Sequence, residues 1–219
     1  MTKATLMVAA LLFAGGASAQ TLSLTNSAAG PSHWSTETGE TVSPGRDALK
    51  FDLGWPGLGV TYLHGVNDRT DFGVHFELLY GAEQTSASHF GLGFGVPLRL
   101  IVNRHERITV EVHVEPGMRV YPDSDFTSFF LRAPFGGTLG VQITPELRLA
   151  AKADLDFAIQ LPHTAYLEIG PEFGFALEYA VDKNLNVGFN ALFGPQFYSL
   201  SNSSTDFAFI TQVVVGYRL

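Results

Sequence analysis

The chain has no cysteine. That excludes a disulfide scaffold, a thiolate metal site and a cysteine nucleophile. Charge is also scarce: 16% of residues are charged, against about 25% in an average soluble protein. Lysine is scarcest, with only Lys3, Lys50, Lys152 and Lys183. The net charge of −8 leaves no basic patch for a phosphate backbone, which argues against a nucleic-acid partner. After the first 20 residues no apolar run is long enough for a membrane helix. A phosphate-binding glycine loop, an HExxH pair and a calcium-loop pattern are all missing. No catalytic residue, metal ligand or cofactor is therefore assigned. What is present is apolar: 46% hydrophobic residues, 18 Phe, 7 Tyr, 2 Trp and 23 Gly. That content is too high for a disordered chain.

The first residues read as an address. Lys3 gives a positive start, Leu6 to Phe13 is a short apolar run, and Ala17-Ser18-Ala19 is a small-x-small cleavage pattern. Residues 1–19 are expected to be a signal peptide, with the exported chain starting at Gln20. Residues 20–46 are rich in Ser, Thr, Gly and Pro and lack a sustained apolar period. They are expected to be a flexible leader, with a folded plug inside a lumen as the alternative.

From Leu49 onward the apolar residues alternate. Phe72, Val74, Phe76 and Leu78 are separated by Gly73, His75 and Glu77. Leu147, Leu149, Ala151, Ala153, Leu155 and Phe157 are separated by Arg148, Ala150, Lys152, Asp154 and Asp156. A period of two puts one apolar and one polar face on each strand. Tight turns centre on Asp68, Arg104, Pro145 and Lys183, at spacings of 36, 41 and 38 residues. Wider loops fall between them. The pattern predicts ten strands (eight or twelve are the alternatives): 47–54, 58–66, 70–81, 89–102, 107–121, 128–143, 147–161, 165–181, 185–198 and 206–219. The fold class is all-β, a closed antiparallel up-and-down barrel over residues 47–219 that leaves no free sheet edge. Pro97, Pro116, Pro134, Pro171 and Pro195 fall inside these strands. Each removes a ladder donor, and local bulges or widened pairs are expected there.

Three features point to the apolar face as the outer one. The polar face carries glycines in a row (Gly91, Gly93, Gly95), which suit a cramped interior. It mixes both charges and has almost no lysine. Most strands exceed the ~9–11 residues that cross a bilayer. The signal peptide, the alternation and the C-terminal stretch from Gln212 to Leu219 make the chain resemble Gram-negative outer-membrane β-barrel proteins. The resemblance implies localisation in the outer membrane, lipid as surroundings and the barrel assembly machinery as partner. Gly216, Tyr217 and Leu219 then carry the assembly signal, with Tyr217 and Leu219 facing lipid.

In this register a polar network faces the lumen: His75, Glu77, Arg99, Glu111, His113, Glu115, Arg119, Arg132, Arg148, Lys152, Asp154, Asp156, Glu168, Glu172 and Glu178. Lys50, Asp52, Asp71 and Arg218 join it. Buried charges must pair. The expected role is a paired polar core holding the barrel shut, or a narrow, porin-like pore for small ions or solutes with a mild cation preference. His75-x-Glu77 and His113-x-Glu115 are expected roughly 10 Å apart, at ~4.8 Å per strand, with Arg99 between them. Two other readings stand beside these. One is a lipid hydrolase at the rim using Ser88-His89 or His163-Thr164. The other is a soluble lipid-binding barrel with its apolar face inward.

Overall fold

The computed structural model describes residues 34–83, 90–122, 127–161, 166–199 and 205–219. The signal peptide, residues 20–33, most of the wider loops, and Ser88-His89 and His163-Thr164 lie outside the described residues. Thirteen strand segments are present: β1 (Asp47–Trp55), β2 (Gly57–Gly65), β3 (Thr70–Leu79), β4 (Gly91–Gly95), β5 (Leu98–His105), β6 (Ile108–Val114), β7 (Gly117–Pro122), β8 (Thr127–Arg132), β9 (Phe135–Gln142), β10 (Leu147–Leu161), β11 (Tyr166–Ala180), β12 (Leu185–Tyr198) and β13 (Thr205–Arg218). They make ten strands, because β4 with β5, β6 with β7, and β8 with β9 are each one strand broken once. Every neighbouring pair is antiparallel. β1 closes on β13, from Ala48 opposite Arg218 to Trp55 opposite Thr211. The result is a closed up-and-down barrel in which every strand is paired on both sides.

The three breaks fall at Val96-Pro97, Glu115-Pro116 and Ala133-Pro134. Here the expectation of bulges is corrected and that of widened pairs met: the ladder segments stop at these prolines and resume in the same register, while Pro171 and Pro195 stay within β11 and β12 but interrupt the pairing between Ile169–Phe197 and Phe173–Phe193. The cause is the missing N–H. The breaks lie side by side on neighbouring strands and are bridged by carbonyls. Gly73 N–H donates to Pro97 C=O, Val96 N–H to Pro116 C=O and Glu115 N–H to Pro134 C=O, each at 2.9 Å. The alternation keeps its phase across all three. The one register shift in this region, between Ile101 and Asn103 on β5, is not at a proline.

The apolar face is the outer one. Phe51, Leu53, Phe76, Phe173, Phe175 and Val213 are exposed, while Asp52, Asp71, Arg99, Glu111 and Arg148 are buried. A soluble lipid binder would need the reverse arrangement, so that reading is set aside. Aliphatic and small side chains also turn inward: Ala48, Leu63, Leu79, Ala176, Leu192 and Val214 are buried. The alternation predicted the strand faces, but not that the inner face is part apolar.

Candidate functional site

The lumen divides into two parts. At the tight-turn end it is filled by residues 34–42, which run inside the barrel and are buried throughout. The expectation of a flexible leader is corrected for this part of residues 20–46. Polar side chains on the wall hold the segment. Lys50 Nζ and Lys152 Nζ clamp Glu37 from two sides, at 2.8 and 3.0 Å. Glu40 receives Arg104 at 2.6 Å and the Thr109 hydroxyl at 2.6 Å. Glu178 on β11 accepts from Ser35, Thr36 and Thr38, and from Asn186 Nδ2 at 2.9 Å. Arg99 donates to the carbonyls of Ser35 and Thr36 and pairs with Asp71. Asp71 in turn accepts from Val42 N–H, and Arg148 donates to Thr38. The backbone turns at Gly39, whose φ of 84° is in the left-handed region that favours glycine. Trp34 seals the opening: its indole donates to Lys183 C=O, and Arg218 lies 5.6 Å from its ring centroid.

Glu37 and Glu40 were missed in the sequence because their stretch has no strand period. Their signal was chemical: acids and hydroxyls alternating through Ser35-Thr36-Glu37-Thr38-Gly39-Glu40-Thr41, suited to the bases at that end of the wall. Burial opposes the Glu37 charge, yet Lys152 and Lys50 hold its carboxyl well below the usual carboxylate range.

Beyond the plug the predicted network residues form a connected set. Arg119 takes Glu77 through Nε at 2.7 Å and Glu83 through Nη1 at 2.6 Å. Arg132 reaches Glu83 at 3.1 Å and Asp156 at 2.8 Å. His113 bridges Glu111 at 3.0 Å and Asp154 at 3.1 Å. Glu168 is buried on β11 toward the opposite end, and Glu172 accepts from Gln196 Nε2 at 3.1 Å. Glu83 follows β3 and was not predicted, because it sits in a loop by period. Burial works against its charge, and Arg119 and Arg132 together lower its carboxyl's pKa.

One expectation is corrected here. The two His-x-Glu pairs are not held apart: His75 Nδ1 and Glu115 Oε1 are 2.7 Å from each other. Arg99 does not lie between them but pairs with Asp71. The reason is glycine. His75 is opposite Gly95 on β4, which is opposite Gly117 on β7. Without a side chain at Gly95, the Glu115 carboxylate crosses the intervening strand, and a Cβ there would overlap it. The same device recurs twice. Glu77, Gly93 and Arg119 are register partners in a row, and so are Asp154, Gly136 and His113. In both, a Cβ on the glycine would overlap the carboxylate that reaches across. The lumen-facing glycines are thus windows through which ion pairs skip a strand. Gly93→Val is expected to cost the fold about 3 kcal/mol, the scale of a broken buried pair. Urea unfolding in detergent checks this, and an unchanged midpoint would contradict the window.

A cavity of about 210 Å³ remains between the plug and the opposite end, lined by both charged and apolar side chains. Among the described residues no three His, Asp or Glu side chains converge as a metal site. At the barrel's closing seam Gly216 lies under Trp34 and Thr36, while Tyr217 and Leu219 face outward. The molecule is thus a closed ten-strand β-barrel with an apolar exterior and an ion-paired lumen.

No protein-family model matches the chain, and no curated protein does. Among solved structures, it is similar to the outer membrane protease OmpT from Escherichia coli. That alignment covers 80% of this chain and 93% of that one, at 7% identity and a TM-score of 0.44.

Proposed function

We propose that this chain is an outer-membrane β-barrel, non-catalytic, that serves as a scaffold or a normally shut narrow conduit for small ions or solutes. The inside-out distribution of side chains carries this reading. On β10 the outward positions are Leu147, Leu149, Ala151, Ala153, Leu155, Phe157 and Ile159, while Arg148, Lys152, Asp154 and Asp156 turn inward. Water does not tolerate an apolar belt of that extent on a monomer, whereas lipid requires it. Tyrosine adds a second support. Four tyrosines lie at strand ends and are exposed on the outer face: Tyr62, Tyr179 and Tyr217 toward the tight turns, and Tyr80 toward the wide loops. Phe and aliphatic residues fill the middle. Exposed tyrosines at strand ends suit the interfaces of a bilayer.

The plug makes the resting state closed. In planar bilayers the full exported chain is expected to give no current or only rare, small steps. Steps of general-porin size would overturn the closed-conduit reading.

A further inference from the structure

The cavity above the plug has a charge imbalance that its own residues do not resolve. Among the described residues that line it, nine are carboxylates and five are Lys or Arg, with two histidines. With every carboxylate ionised and both histidines charged, two negative charges remain. The surplus is local. Glu172 on β11 is directly opposite Asp154 on β10, so two like charges face each other across a ladder. Asp154 has His113 as its partner. Glu172 is buried and accepts one hydrogen bond, from the neutral Gln196 amide, with no basic side chain of the described residues in ion-pair contact. A second observation points to a ligand. Asn190 and Thr61, both more than nine-tenths buried and lining the same cavity, leave Oδ1 and Oγ1 without a hydrogen-bond partner.

The layout fits one chemistry. Along β12, Asn190 is an acceptor, Leu192 two residues on is apolar, and Gln196 four further holds Glu172. Leu192 is opposite Ile210, so an apolar strip separates the two polar ends. We propose that this cavity binds a small organic cation of the alkyl-diamine class. One ammonium sits between Glu172 and Asp154, the methylenes cover Leu192 and Ile210, and the second ammonium reaches Asn190. Water would satisfy the lone oxygens but leave Glu172 without a counter-charge, and among the described residues no ligand set converges here for a single metal ion. The proposal needs the charged lumen and not the conduit, so a failed conductance experiment leaves it standing.

The test uses the folded full exported chain in detergent, with cadaverine as probe, followed by calorimetry and by thermal unfolding. Cadaverine is expected to bind at one saturable site and to raise the unfolding temperature. Potassium chloride at equal ionic strength, pentylamine and glutarate are expected to do so weakly or not at all. Glu172→Gln removes the repulsion, so it is expected to stabilise the ligand-free barrel while weakening cadaverine about tenfold, the order of one charge-assisted contact. Asn190→Ala is expected to weaken cadaverine and spare pentylamine. Equal effects of potassium and cadaverine would overturn the organic-cation assignment. A Glu172→Gln barrel no more stable than the parent, with unchanged cadaverine affinity, would overturn the site.

Discussion

A chain beginning at Arg46, with the plug deleted, is expected to conduct where the full chain does not. Residues 34–42 contribute no strand to the barrel and are held mainly by side-chain contacts: Glu37 and Glu40 on wall cations, and Ser35 on Glu178 of the wall. The sheet closes through β1 and β13 without them. Deletion therefore leaves every ladder in place and empties the tight-turn end of the lumen. Lys50 retains Asp52 at 3.1 Å, but Lys152 and Arg104 lose their plug carboxylates and face water. Planar-bilayer recordings should show frequent, resolved steps. The Glu37→Gln, Glu40→Gln double variant should show brief openings, because it removes the charges while keeping the chain in place. The pH dependence follows from Glu37. Its folded pKa is depressed, so its contribution is complete above the ordinary carboxylate range and is lost as pH falls through the depressed value. Mild acid should leave the full chain silent, with openings confined to strong acid. A deletion variant as silent as the full chain would contradict the plug.

Arg119→Ala is expected to destabilise the barrel by about 3–5 kcal/mol, the cost of stranding a buried charge. Arg119 is buried and serves two carboxylates, Glu77 and Glu83. Without it Glu83 keeps Arg132 at 3.1 Å, while Glu77 keeps only the longer His75 contact at 3.9 Å. Arg119→Lys should recover part of the loss, since an ammonium keeps the charge but lacks the fork that meets both partners. The Glu77→Gln, Arg119→Ala double variant should be more stable than the sum of the single losses. Reversible urea unfolding in detergent reads all three. Strict additivity would show that the pair is not coupled.

The barrel was legible because lipid-facing strands repeat one rule. β10 and β12 span 147–161 and 185–198, the same bounds that the period of two gives. The inward set was legible for the same reason, from His75 to Glu178. The partners were not. Period and strand spacing put His75 and Glu115 far apart, and only the glycine between them lets the pair close. The prolines were seen, but not how each gap is spanned: a strand segment ends at Pro97, whereas Pro171 stays within β11 and opens only its ladder to β12. The plug was hidden because it is held by side-chain chemistry and carries no period of its own. Tyrosine placement was in the sequence throughout and becomes a signal only once strand ends are known.

The absence of cysteine allows single cysteines to be labelled without background, and β11 is the strand on which to use them. Spin labels placed singly from 172 to 177, in chains folded into lipid vesicles, would be compared for collision with oxygen and with a water-soluble nickel complex. Positions 173, 175 and 177 are predicted to meet oxygen and exclude nickel, as lipid-facing sites do. Positions 172, 174 and 176 are predicted to be shielded from oxygen, giving a period of two. Nickel access at 173, 175 and 177, or no alternation, would contradict a membrane-spanning barrel with its charge inside.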